Sequence, residues 1–115
     1  LVGLIQRIHE RTIFARMRAE GKRVRSGSLW CSVMLDSNVS ETHLAFAVGK
    51  SAGSAVVRNR IRRRLRPLLV ANAEALPAGY LLVGASGEVA TMPASKLAEQ
   101  VGSLIERVRK VAENA

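Results

Sequence analysis

The sequence predicts an α+β fold in which helices pack on a sheet of about four strands. Three observations support this prediction. Residues 29–35 and 80–85 are short apolar runs of the kind that form buried strands, and residues 42–48 alternate between large apolar and smaller residues. Residues 57–68 and 97–112 instead repeat their apolar side chains at helical spacing. The predicted order is helix, three strands, helix, strand, helix.

Size and composition indicate one basic domain spanning residues 1–115. The hydrophobic fraction of 48% argues against disorder, and the net charge of +9 with a pI of about 11.3 fits a nucleic-acid partner. The single cysteine, Cys31, excludes a disulfide framework and a Cys-based zinc site, so a reducing, cytoplasmic setting is expected. No apolar run approaches the roughly 20 residues of a membrane span, and no membrane partner is expected.

The N-terminal part begins with a predicted basic amphipathic helix over residues 4–20, which Gly21 ends. A short strand is expected at 22–25, followed by a turn. The runs 29–35 and 42–48 are then predicted to pair with each other as a hairpin.

The central helix is predicted to follow a small-residue loop, residues 49–54, with Ser54 as its N-cap. Pro67 removes one backbone hydrogen bond from this helix, so a kink or a break is expected there before residues 68–76 continue. The apolar side of the helix is predicted to consist of Val57, Ile61, Leu65 and Leu68.

The C-terminal part is predicted to contain a turn, the buried strand 80–85, a loop over 86–92 and a last helix over 93–112. Residues 1–73 hold 14 bases against four acids, a balance of +10, whereas residues 74–115 hold four bases against five acids, a balance of −1. The C-terminal third is therefore interpreted as structural support.

Residues 57–66, VRNRIRRRLR, hold the densest charge in the chain. Six of these ten residues are arginine, and no acid occurs between Glu41 and Glu74. Mutual repulsion makes such a cluster costly unless a polyanion neutralises it. At helical spacing, Asn59, Arg63 and Arg66 lie opposite the apolar side, whereas one of the edge residues Arg60 and Arg64 is expected mainly to pack.

No pattern of a protein active site is found. Gly49-Lys50-Ser51 lacks the earlier glycine of a nucleotide-binding P-loop, although a small-residue loop before a helix can hold one phosphate. His9 and His43 have no metal-ligand spacing, the acids do not pair for acid–base chemistry, and Cys31 is expected in the core.

The segment FAVGKSAGSAVVRNRIRRRLR, residues 46–66, closely resembles the bacterial ribonuclease P protein family. The resemblance rests on Lys50, Gly53, the residues Ala55-Val56-Val57 and the residues Arg58-Asn59-Arg60, and it extends to Phe14 and to the sequence EGKRV at 20–24. It implies a subunit that binds a catalytic RNA and the 5′ leader of precursor tRNA. The leader is then removed by metal-dependent hydrolysis, with the active site and most of the Mg²⁺ in the RNA. The resemblance also implies a left-handed βαβ crossover, an inactive isolated protein and one protein per RNA.

The resemblance also assigns candidate residues. Those implied to contact RNA are Lys50, Arg58, Asn59, Arg60, Arg62, Arg63 and Arg66. Those implied to line the leader cleft are Phe14, Arg18, Ser32 and Ala47. Relatives often have aromatic residues at the positions of Arg18 and Ser32 and a serine at that of Ala47, and they often have an apolar residue at that of Arg64. A cleft poorer in aromatic rings is therefore expected, with more reliance on phosphate contacts.

Two other functions remain open on the sequence alone. A non-catalytic RNA-binding protein of ribosomal type is equally basic and compact. A self-sufficient nuclease is a third possibility, but the sequence has no carboxylate or histidine cluster that would hold its metal.

Overall fold

The computed structural model of the protein describes residues 5–115. The strands are β1 (Ile5–Arg7), β2 (Lys22–Ser26), β3 (Leu29–Leu35), β4 (Thr42–Ala47) and β5 (Gly79–Ala85). The α-helices are α1 (Arg11–Glu20), α2 (Ala55–Ala71) and α3 (Ala94–Glu113), and short 3₁₀ helices span Lys50–Ala52, Ala73–Ala75 and Gly87–Ala90. The α+β class is confirmed. No helix within the described residues combines the length and apolar character that crossing a bilayer requires.

The five strands form one mixed sheet in the order β1-β4-β5-β3-β2. β5 lies at its centre, parallel to β4 and antiparallel to β3. The predicted hairpin between residues 29–35 and 42–48 is therefore wrong, because β5 separates the two strands. The physical reason is that β5 is apolar on both faces and is most stable where both faces and both edges are covered.

The first strand and α1 correct the prediction of one helix over residues 4–20. Ile5–Arg7 pairs in parallel with β4, and the helix begins only at Arg11. The Ile8 backbone N–H extends this pairing by donating to the Leu44 carbonyl at 3.2 Å. A β-branched residue and an open sheet edge favour the strand here, and they raise the strand count from about four to five. Residue 4 lies outside the described residues.

The predicted short strand at 22–25 is confirmed as β2. It pairs with β3 through a tight turn in which Gly27 has a positive φ of 57°, as the first central residue of a type II′ hairpin requires. Gln100 of α3 fixes this hairpin: its backbone carbonyl accepts from the Ser26 hydroxyl at 2.8 Å, and its side-chain oxygen accepts from the Ser28 N–H at 3.0 Å. The predicted C-terminal strand and helix are likewise confirmed, within a residue, as β5 and α3.

The central helix α2 begins where the sequence predicts, since the Ser54 hydroxyl accepts a hydrogen bond from the Val57 N–H at 3.3 Å. It continues through Pro67 and ends at Ala71, so it neither breaks at the proline nor reaches residue 76.

The packing side of α2 differs in one position from the prediction. Ile61, Leu65 and Leu69 are fully buried, whereas Leu68 and Val57 are only partly buried at its margins. The buried residues form one i, i+4, i+8 row of the helix, and this row is the one that enters the main core. Burial of that row on both sides of Pro67 supports the helix across the missing hydrogen bond.

The two faces of the sheet are covered unequally. α2 and α3 enclose the main core on one face, with buried residues from β3, β4 and β5. α1 covers part of the other face with Ile13 and Met17, which pack against Ile8 and Met34. The remainder of that face stays open. The connection β4–α2–β5 joins two parallel strands, and its left-handedness stays a prediction of the resemblance.

The main core predicts a specific stability effect. Leu65→Ala should lower the free energy of unfolding by about 2–5 kcal/mol, because Leu65 is fully buried beneath α2 and the truncation leaves a cavity. Urea unfolding measures this change. Val70→Ala, on the same helix but 44% exposed, is the control and should change the unfolding free energy by less than about 0.5 kcal/mol. Similar losses for both variants would contradict the described orientation of α2.

Candidate nucleic-acid interface

The exposed side of α2 carries a cluster that we call the arginine face. Its members are Asn59, Arg60, Arg63 and Arg66, all exposed. They are held outward because the opposite side of the helix is buried in the main core. Within the described residues, none of the arginines in α2 forms an ion pair. The arginine face is therefore an uncompensated positive surface, which suits phosphate groups.

Two further arginines of α2 are half-buried beside this face. The Arg62 guanidinium donates to the Asn59 side-chain oxygen at 2.8 Å, which orients both side chains. The Arg58 Nε is buried and has no hydrogen-bond partner within the described part of the chain. Both residues thus extend the arginine face, with Arg62 the better ordered of the two.

Arg64 has a different role from its neighbours. Its two terminal nitrogens donate to the carbonyl oxygens of Val89 and Met92, each at 2.6 Å. These bonds attach α2 to the segment that contains the 3₁₀ helix Gly87–Ala90. Of the two edge residues, Arg64 is therefore the one that packs, while Arg60 is exposed. A partly buried guanidinium needs hydrogen-bond acceptors, and these two carbonyl oxygens supply them. The chain therefore tolerates an arginine at this position.

The loop before α2 places Lys50 near the start of the arginine face. Lys50 is exposed and begins the 3₁₀ helix that leads into Ser54. Gly53 has a φ of 141°, and a Cβ at this position would press against the Val57 side chain. Only glycine allows this close turn into the helix.

A cavity of about 570 Å³, which we call the edge cavity, connects α2 to the edge of the sheet. β1 ends at Arg7, opposite Leu44, and beyond that point no strand among residues 5–115 pairs with the edge of β4. Arg7, Arg62 and Arg66 line the cavity together with Phe46. Arg7 is not among the predicted contact residues, because its predicted place is on the first helix. Its position on β1 adds a third positive charge to this end of α2.

A second cavity, of about 380 Å³, lies on the open face of the sheet beside α1, and we call it the sheet cleft. Its lining consists of Phe14, Met17, Arg18, Gly21, Arg23, Trp30, Ser32 and Leu82. Three predicted cleft residues, Phe14, Arg18 and Ser32, therefore come together here. The fourth, Ala47, lies on the same face of β4 but is not part of the lining, since Gly84 of β5 separates it from Trp30.

Trp30 supplies the sheet cleft with a second aromatic ring that the sequence analysis did not assign to it. The indole lies against Gly84, where any Cβ would overlap the ring. Its other face carries the Arg23 guanidinium, whose Cζ is 3.8 Å from the ring centroid. The sequence does allow this prediction, because Trp30 and Ser32 are two residues apart on one strand and therefore lie on the same face of the sheet.

The remaining reactive residues do not assemble into a site. Burial raises the pKa of the Cys31 thiol to about 12, so it stays protonated at neutral pH, and its predicted place in the core is confirmed. The His43 and Tyr80 rings lie 5.0 Å apart on the open face. Among residues 5–115, no three or more histidine, cysteine or acidic side chains group as a metal site would require.

The fold and its surfaces define a small basic protein of the α+β class with an uncompensated positive face on its central helix. The family model described as Ribonuclease P matches residues 5–109. The ribonuclease P protein component of Symbiobacterium thermophilum is 32% identical over 102 residues, covering 88% of this chain and 89% of the relative. The ribonuclease P protein component of Thermobifida fusca is 31% identical over 112 residues, covering 90% of this chain and 76% of the relative. The chain belongs to the ribonuclease P protein family, the protein component of a tRNA-processing endoribonuclease.

Solved structures agree with this family in fold. The RNase P protein of Staphylococcus aureus superposes with a TM-score of 0.77 at 21% identity, covering 87% of this chain and 92% of that one. The RNase P protein of Thermotoga maritima superposes with a TM-score of 0.76 at 20% identity, covering 89% of this chain and 96% of that one. Family membership makes the chain an RNA-binding protein that works with ribonuclease P RNA and tRNA substrate in maturing the tRNA 5′ end.

The neighbouring residues Arg63 and Arg64 should differ in their contribution to the stability of the fold. Arg64→Ala should lower the free energy of unfolding by about 1–3 kcal/mol, because two carbonyls lose a charged donor. Arg63→Ala removes the same charge from an exposed position and should change stability by less than about 0.5 kcal/mol. Urea unfolding of the free protein compares them. Equal stability of the two variants would mean that Arg64 does not hold the loop.

Proposed function

We propose that the chain is an accessory subunit whose arginine face binds the catalytic RNA of ribonuclease P and whose sheet cleft binds the precursor tRNA leader. The arginine face is the observation that carries this proposal. It concentrates unpaired guanidinium groups on one rigid helix, and Lys50 and Arg58 extend it. Such a surface gains most from a structured polyanion, which releases condensed counterions when it binds.

The active site of the holoenzyme belongs, in this proposal, to the RNA. The residues that the structure describes offer no cluster of carboxylate or imidazole ligands of the kind that holds a catalytic Mg²⁺, which supports this assignment. The metal is bound mainly by RNA phosphates. The protein contributes by binding and positioning RNA, and the isolated protein is inactive.

The sheet cleft fits a single-stranded segment better than a duplex. Its volume of about 380 Å³ is that of a small-molecule pocket, and its lining combines rings with guanidinium groups. Phe14 offers a stacking surface for a base, and stacking of this kind contributes about 1–3 kcal/mol per base. Arg18 lies in the same lining and can contact the leader phosphates, while Ser32 offers a hydroxyl.

The assembly proposed is one protein per RNA, in the cytoplasm. One arginine face and one sheet cleft supply one contact of each kind per chain. The cytoplasmic assignment is supported by the only cysteine, which is buried as a free thiol, as expected in a reducing compartment.

Reconstitution tests this division of labour. Precursor tRNA cleavage is assayed in Mg²⁺ and modest salt with protein alone, catalytic RNA alone and both together. Cleavage should require the RNA and should be stimulated by the protein. Cleavage by protein alone would instead demonstrate a protein active site, and no stimulation on the cognate RNA would overturn the accessory role.

The arginine face predicts a change in salt dependence. Arg63→Ala with Arg66→Ala should leave the fold intact, weaken binding to catalytic RNA and make the slope of log affinity against log salt shallower by about 0.9 per lost phosphate contact. Filter binding over a salt series measures the slope. Arg109→Ala is the control, because Arg109 already pairs with Glu106 at 3.2 Å. An unchanged slope in the double variant would show that Arg63 and Arg66 do not contact phosphate.

A further inference from the structure

A third cavity, of about 510 Å³, follows the edge of β2 and is not explained by the proposed function. We call it the β2 groove. Its lining consists of Lys22, Arg23, Val24, Arg25, Arg107, Lys110, Val111 and Asn114. Five of these eight residues are basic and none is acidic. The groove therefore concentrates positive charge at the opposite edge of the sheet from the edge cavity.

The ion pairs of α3 leave this charge uncompensated. Arg109 pairs with Glu106 at 3.2 Å and with Glu113 at 4.0 Å, and none of these three residues lines the groove. Arg107 and Lys110 form no ion pair within the described residues. The C-terminal helix, predicted to be structural support, thus places in the groove two cations without an acidic partner among the described residues.

The position of β2 explains only part of this arrangement. It is an edge strand, and basic side chains on an edge commonly prevent strands of other molecules from pairing there. That accounts for Lys22 and Arg25. It does not account for Arg107 and Lys110, which come from a helix and face the same groove.

Arg23 connects the β2 groove to the sheet cleft, because it lines both cavities. Its guanidinium lies over the Trp30 ring at the border between them. A single strand that fills the cleft can therefore continue over this stacked pair into the groove without crossing an acidic residue of either lining. Stacked guanidinium groups are surfaces on which unpaired bases also stack.

We propose that the β2 groove binds the distal part of a long precursor tRNA leader, after the strand has left the sheet cleft at Arg23. The leader phosphates contact Lys22, Arg25, Arg107 and Lys110, and the bases pass over the Arg23–Trp30 stack. This inference rests on the proposed function, since it requires the proximal leader in the sheet cleft.

The test compares leader lengths in the reconstituted holoenzyme. The variant Arg107→Gln with Lys110→Gln is titrated with precursor tRNAs whose leaders end within the cleft or extend well beyond it. Affinity for the long-leader substrate should fall, and its salt slope should become shallower by about 1.4, the contribution of two single-strand phosphate contacts. Affinity for the short-leader substrate should not change.

Two controls keep the result specific. Arg109→Gln removes a charge from the same helix outside the groove and should leave both substrates unaffected. Trp30 is the only tryptophan, so its fluorescence reports on the cleft directly. Both substrates should quench it in the double variant, which also shows that the cleft has kept its fold.

Three outcomes would overturn the inference. Equal weakening of short and long leaders, or weaker assembly with catalytic RNA before any tRNA is added, would place a different RNA segment in the groove. No change with the long leader would leave the groove as edge protection only. Failure of the proposed function is distinct from all three, because then even the unaltered protein would not discriminate between substrates with and without a leader.

Discussion

Burial of one side of α2 in the main core is the contact on which the arginine face depends. Like charges at i, i+3 and i, i+4 destabilise a helix, and α2 carries six arginines within ten residues. A 17-residue helix with this charge is marginal alone, so burial of Ile61, Leu65 and Leu69 supplies what holds it together. Arg64 strengthens that attachment by converting one of the repelling charges into a bond with the following loop.

The topology of the sheet then distributes the binding surfaces. With β5 at the centre, the edge cavity lies at the free edge of β4 and the β2 groove at the opposite edge. Strands about 4.8 Å apart put roughly 19 Å between the outermost of five strands. Because α1 covers only part of the open face, the sheet cleft lies between these edges. One small domain therefore presents separate basic surfaces at the two edges of one sheet.

The sequence predicts the structure correctly where the pattern of neighbouring residues determines it. The apolar spacing of α2 and α3, the Ser54 cap and the strand β5 are all properties of neighbouring residues. Local pattern is insufficient where distant pairing decides the structure. β5 separates the two strands that are predicted as a hairpin, and pairing with the edge of β4 makes a strand of residues 5–7, which are predicted as part of a helix. The candidate site divides in the same way. The arginine face follows from helical spacing, whereas Arg7, Arg23 and Trp30 acquire neighbours only through sheet order.

The placement of the acids, more than the net charge, defines which surfaces are free for RNA. Acidic side chains form ion pairs with Arg16 of α1 and Arg109 of α3. Glu88, in the 3₁₀ helix Gly87–Ala90, contacts the Ser28 hydroxyl. The two ion-paired arginines lie on α1 and α3, away from α2, whereas Glu88 lies in the 3₁₀ helix beside α2 and is engaged by Ser28. The same net charge of +9 spread evenly, with acids beside the arginines of α2, would attract RNA without orienting it. Segregation of the acids therefore leaves the arginine face without an acidic partner among the described residues, which makes it the surface best suited to a polyanion.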